Sequence, residues 1–147
     1  MSALRLSTDP AEMDVTAIHA VLTEQYWARG IPVEIVRRAI AGSIPFGVFD
    51  GKRQVAFARA VTDRATFAYV ADVYVLEEYR GRGLARMMMN AMMAHPDLQG
   101  LRRWMLATRD AHGLYAKFGF TPMQGSDRFM EIADPDIYTR LPSRKDT

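Results

Sequence analysis

The stretch that most constrains this chain runs from Phe67 to Asn90, FAYVADVYVLEEYRGRGLARMMMN. Phe67 to Leu76 is rich in aromatic and β-branched residues and carries one charge, Asp72. That composition reads as a strand buried over most of its surface. Glu77-Glu78-Tyr79-Arg80-Gly81-Arg82-Gly83 follows, a polar turn with two glycines. The period then changes: Leu84, Met87, Met88, Ala91 and Met92 recur at helical spacing and mark one apolar face. The order is therefore strand, glycine-rich turn, helix N-terminus.

That order suits an anion. The first N–H groups of a helix have no partner within it and lie at the positive end of its dipole. Gly81 and Gly83 let the backbone approach a ligand closely, and Arg80, Arg82 and Arg86 add positive charge. A phosphate or pyrophosphate fits such a site. The Walker pattern is absent, which disfavours nucleotide hydrolysis. The dinucleotide fingerprint fails at its third glycine, because residue 86 is Arg, and no acidic residue stands where the ribose contact belongs.

The pattern that does match is R-x-x-G-x-A, formed by Arg80, Gly83 and Ala85 directly after a hydrophobic strand. It resembles the acetyl-CoA signature of the GNAT N-acetyltransferase superfamily. A second segment, Leu114-Tyr115-Ala116-Lys117-Phe118-Gly119-Phe120, is similar to the Y-x-K-x-G-F motif near GNAT C-termini.

Taken in order, Ala3 to Ser7 alternates as a first strand. Asp9 and Asp14 are rival helix caps. Val15, Ile18, Val21, Leu22 and Gln25 give a helical face expected to end near Trp27. Gly30-Ile31-Pro32 breaks it, and Pro32 opens a second helix through about Ala41. Ile44 to Phe49 and Gln54 to Val61 flank Asp50-Gly51 as a hairpin. After the central strand and its helix come a strand at Arg103 to Ala107 and a helix at Ala111 to Phe118. Strands are then expected at Phe120 to Met123 and Arg128 to Ile132, before a polar tail from Pro135. The order β-α-α-β-β-β-α-β-α-β-β implies an α+β fold with a mixed, mostly antiparallel sheet flanked by helices. This is also the GNAT order, so the resemblance covers nearly the whole chain.

Composition sets the outer bounds. A chain of 147 residues, 49% hydrophobic and 24% charged, fits one domain with a real core. With no cysteine, disulfides, thiolate metal sites and a cysteine nucleophile are excluded; no metal is expected. A net charge of +2 gives no argument for nucleic acid. No apolar run suggests a membrane span, and MSALRLSTDP lacks a signal-peptide core, so a cytoplasmic protein is expected. The cluster Met87, Met88, Met89, Met92 and Met93 reads as core filler and a candidate homodimer interface.

The resemblance implies an acetyl-CoA-dependent N-acetyltransferase acting on a primary amine in a ternary complex. A small-molecule amine is the first expectation; a protein N-terminus or lysine side chain is the alternative. A non-catalytic acyl-CoA-binding regulatory domain is the rival from another class. By resemblance, Arg80, Gly81, Arg82, Gly83, Leu84, Ala85 and Arg86 hold the pyrophosphate, and the backbones of Val73 and Val75 hold the pantetheine and acetyl group. Tyr115 is then the acid for the departing thiolate. Asp72, a lone carboxylate in a hydrophobic strand, is the candidate to contact the amine or relay its proton. Glu24, Asp110 and His112 are weaker candidates. Tyr26 and Trp27 would wall the acceptor pocket, and Arg59 would bind a substrate carboxylate.

Overall fold

The computed structural model describes residues 3–140, and five strands form one sheet in the order β1-β2-β3-β4-β5. β1 is Leu4–Ser7, β2 Ile44–Asp50, β3 Arg53–Thr62, β4 Phe67–Val75 and β5 Arg103–Met105. The first three pairings are antiparallel, and β5 runs parallel to β4. The helices are α1 (Val15–Leu22), α2 (Val33–Ala41), α3 (Leu84–Ala94), α4 (His112–Ala116) and α5 (Ile137–Arg140). The α+β class with a mixed, mostly antiparallel sheet is as expected from the sequence.

The sheet is covered on both faces. Phe46 and Val48 of β2 point to a core shared with Leu84, Met88, Met89 and Met92 of α3 and with Tyr115 of α4. Phe49, Phe57 and Tyr74 point the other way, onto Ile18, Leu22, Val36 and Ile40 of α1 and α2. Alternation sends neighbouring residues to opposite faces, so a strand covered on both sides reads as a continuous apolar run. Of the α3 methionines, Met88, Met89 and Met92 are core and fully buried, while Met87 and Met93 are half-buried. Full burial of side chains this size contributes about 1.5–3 kcal/mol each.

The rival caps share the work. Asp9 accepts from the Ala11 N–H and caps a short 3-10 turn at Pro10–Glu12, while Asp14 accepts from the Ala17 N–H and caps α1. Several elements differ from the sequence reading, α4 among them, which runs His112–Ala116 rather than Ala111 to Phe118. α1 ends at Leu22, and turns carry the chain through Tyr26 and Trp27. β5 stops at Met105 rather than Ala107. The strands expected at Phe120 to Met123 and Arg128 to Ile132 are not formed; that segment holds a 3-10 turn at Ser126–Arg128 and lies largely exposed. The reason is local: Gly125 takes a left-handed φ of 66° and turns the chain away, so no ladder closes on β5. Of the polar tail from Pro135, α5 supplies the helical turn, and residues 141–147 lie outside the described part. No helix among the described residues is long and apolar enough to cross a membrane.

Candidate active site

The parallel ladder between β4 and β5 is short. It ends with Tyr69 opposite Met105, and beyond that point β4 has no strand partner on that side among the described residues. A bulge lies just past it. Phe57 pairs with Tyr74 and Arg59 with Ala71, so Ala58 alone faces both Asp72 and Val73. The Leu76 N–H donates to the Val55 carbonyl on β3. Backbone groups alternate sides along an antiparallel pair, so those of Val75 face away from β3, into the open side; Val73 lies in the bulge, where that alternation breaks. The Val75 carbonyl accepts there from Arg80 Nε at 3.1 Å. The Val75 N–H thus faces the open side of β4, where the resemblance implies the pantetheine.

The open side leads to the glycine turn. A 3-10 turn at Glu77–Tyr79 joins β4 to it, and Gly81 and Gly83 adopt φ of 79° and 80°. Such values explain both glycines, since an L side chain there is strained. A Cβ on either would meet nothing within 4 Å, so the space above the turn is free for a ligand. Gly83 caps α3 without any side-chain hydrogen bond, leaving the first N–H groups of the helix unclaimed by a cap. A groove of about 450 Å³ opens here, lined by Val75, Arg80, Gly83, Leu84, Ala85 and Arg86 among others, with Leu114 of α4 closing its far side. Arg82 stacks on the Tyr79 ring at 4.9 Å, and the Tyr79 hydroxyl donates to Asp50. Tyr79 is thereby a post that fixes one arginine of the turn.

Tyr115 lies on α4 beside β5. Its ring packs edge-on against Phe120 with centroids 6.1 Å apart, and the residue is 8% exposed. Burial pushes its phenol up from the ordinary tyrosine range. Its hydroxyl has no hydrogen-bond partner among the described residues, and Tyr115 lines a cleft. The cleft it borders has a volume of about 700 Å³ and includes Leu106, Thr108 and His112.

Asp72, Trp27 and Arg59 come together. Arg59 Nε donates to Asp72 Oδ2 at 2.6 Å, and the Trp27 indole donates to Asp72 Oδ1 at 2.8 Å. Arg59 Nη1 also donates to the Ser43 hydroxyl at 3.0 Å. Tyr26 packs edge-on against Trp27, and the Arg109 guanidinium sits 3.4 Å from the centre of the Tyr26 ring. Glu24, Asp110 and His112 are exposed and stand outside this network.

Sequence reasoning missed Ser43, Tyr79 and Arg109. A serine after a helix, an aromatic in a polar turn and an arginine in a loop carry no pattern of their own; only the fold brings them beside the site. The resemblance implies a bulge in the central strand; the structure has one at Asp72 and Val73, on a residue type that tolerates a left-handed φ better than most.

The comparisons decide the family. Residues 42–122 match the model of the acetyltransferase (GNAT) domain. The chain is a GNAT acetyltransferase. It is 35% identical to a Gibberella zeae protein named "Putative acetyltransferase", over 76% of this chain and 75% of that one. It is 52% identical to a solved GNAT-family structure from Xanthomonas campestris pv. campestris, with a TM-score of 0.91, covering 95% of this chain and 99% of that one. An acetyltransferase from Clostridium acetobutylicum, solved with acetyl-CoA, shares the fold at a TM-score of 0.65 and 17% identity, covering 90% and 96% of the two chains. In this acetyltransferase the glycine turn stands where the sequence resemblance put it, between the fourth strand and the third helix.

Proposed function

We propose that this acetyltransferase moves the acetyl group of acetyl-CoA to a primary amine of a small molecule, by direct attack within a ternary complex. The observation that carries the reading is the groove of about 450 Å³ where the end of β4 meets an uncapped helix N-terminus, lined by Val75, Arg80, Gly83 and Arg86 with Arg82 beside it. A long thioester with a pyrophosphate at one end matches that shape and charge.

The chemistry needs a neutral amine, a polarised carbonyl and a proton for the thiolate. At neutral pH fewer than roughly one in a thousand lysine-like amines are unprotonated, so water at the open acceptor side must carry that proton away. The amine nitrogen then attacks the thioester carbon, and a backbone N–H on the open side of β4 stabilises the oxygen as charge builds on it. The C–S bond breaks, Tyr115 protonates the departing sulfur, and the proton that the attacking nitrogen gives up passes through water to restore the phenol. With an ordinary phenol near 10 and a thiol near 8.5, that transfer is uphill by about 2 kcal/mol, and burial adds to it. The same burial keeps the phenol in its proton-bearing form across the neutral range.

The acceptor enters between Tyr26, Trp27 and the loop carrying Arg109. Arg59 holds Asp72 and Ser43 rather than facing that space alone. A small amine suits a mouth walled by two aromatic rings, which also favour a cation. The test is thiol release from acetyl-CoA across a panel of small amines, peptides with free N-termini and lysine peptides. Release with small amines supports the reading; release only with peptides moves the acceptor to protein.

A further inference from the structure

The bulge in β4 is built on an unusual residue. Asp72 has a φ of 58°, and Asp72 and Val73 together face one residue of β3. Bulges whose first residue is left-handed ordinarily place glycine there, which adopts that φ without strain. A chain that needed the bend alone would use glycine. This one places a carboxylate there, and both oxygens are engaged, Oδ2 by Arg59 and Oδ1 by Trp27.

The partners reach three other elements. Arg59 comes from β3 and continues to Ser43, whose hydroxyl donates to the Ala39 carbonyl in the last turn of α2. Trp27 comes from the turns after α1. Asp72 and Arg59 are 10% and 18% exposed at their side chains, so their ion pair is only lightly screened. From Trp27 the contacts pass through Tyr26 to Arg109, in the loop that leads to Tyr115. If Asp72 took up the amine's proton, Arg59 would keep its charge at a poorly hydrated site without the counter-charge that offsets its desolvation.

We infer that Asp72 is a positioning residue: its carboxylate clamps Trp27 and Arg59, holding the left-handed bulge and the acceptor wall in one arrangement, and it does not take the amine's proton. The kinetic part of this inference rests on the acetyl-transfer reading; the structural part does not.

Three substitutions separate the roles. Asp72→Asn keeps the shape, the tolerance for left-handed φ and an acceptor oxygen for the indole, and removes the charge. Asp72→Gly keeps the backbone and removes both contacts. Asp72→Ala removes both contacts and strains the bulge. In a Trp104→Phe background Trp27 is the sole tryptophan, so its emission and acrylamide quenching report the clamp without any ligand. The expected result is near-parental emission for Asn and red-shifted, more readily quenched emission for Gly and Ala. Calorimetry should give acetyl-CoA affinity within about three-fold for Gly and about five-fold or more weaker for Ala, the order set by backbone strain. With an acceptor in hand, Asn should keep both limbs of the pH–rate profile, and Gly should raise the acceptor KM more than it lowers kcat. Unchanged Trp27 emission in Gly and Ala overturns the clamp. A fall of 10²–10⁴ in kcat for Asn with loss of the acidic limb makes Asp72 the proton acceptor instead. If the wild type gives no acetyl-CoA binding heat, the functional reading fails, and the Trp27 measurement still decides the clamp.

Discussion

At the scale of single residues, one hydroxyl and one missing side chain matter most. Tyr115→Phe removes the hydroxyl and keeps the ring packed against Phe120. Turnover should fall by about 10²–10⁴-fold, the usual worth of general-acid catalysis, with acetyl-CoA affinity little changed because the loss lies in the transition state. Wild-type turnover, with chemistry rate-limiting, would take Tyr115 out of the mechanism. At Gly83 the missing side chain is the point. A Cβ there meets no protein atom within 4 Å, but it stands in the groove and on a φ of 80°. Gly83→Val should therefore fold, with a modest loss of stability, and should bind acetyl-CoA at least ten-fold more weakly by calorimetry. Equal affinity would contradict the assignment of the turn. Tyr115 and Gly83 were legible in the sequence because each sits in a spaced motif. The engagement of Asp72 by Arg59 and Trp27 was not, because partners 13 and 45 positions away are brought together only by the bulge and the turns after α1.

At the scale of elements, the glycine turn and the start of α3 act as one electrostatic unit. Arg80, Arg82 and Arg86 are surface charges, so acetyl-CoA affinity should weaken steadily between about 0.05 and 0.5 M salt as screening shortens their reach. An affinity indifferent to salt would leave the helix N-terminus and glycine backbone as the whole site. The strands through β4 were legible because their side chains are buried on both faces and their turns carry Asp-Gly or Asp-Arg signals. The segment after Phe120 was misread for a physical reason. Phe129, Met130 and Ile132 have the composition of a strand, but a strand exists only where a partner edge meets it. Here a left-handed Gly125 and a 3-10 turn break the approach, so that Phe129 meets β5 only through the Arg103 guanidinium and no ladder forms.

At the scale of the whole molecule, that segment leaves Met130 and Ile132 at 96% and 104% exposure. Apolar side chains so exposed are the surface on which a dimer of this chain is tested. Light scattering should find a dimer for the wild type and a monomer for Met130→Glu/Ile132→Glu; a monomeric wild type would contradict this. Stability should also depend on pH from the alkaline side. Burial raises the phenols of Tyr74 and Tyr115 above the unfolded value of about 10, Tyr74 further through the nearby Asp14 and Asp72. A raised value in the folded state means the full contribution is present below pH 10 and is lost as pH climbs above it. The urea midpoint should fall between pH 9.5 and 11, less steeply in Tyr74→Phe, and a flat midpoint would contradict the burial of these rings.

The central claim is transfer of acetyl from acetyl-CoA to a small primary amine. The most direct measurement is thiol release by the wild-type protein against a broad amine panel, with the acetylated product weighed by mass spectrometry. The expected result is amine-dependent release and a product heavier by one acetyl group, carried on nitrogen. Tight acetyl-CoA binding with no amine-dependent release across the panel would contradict it and leave a binding domain.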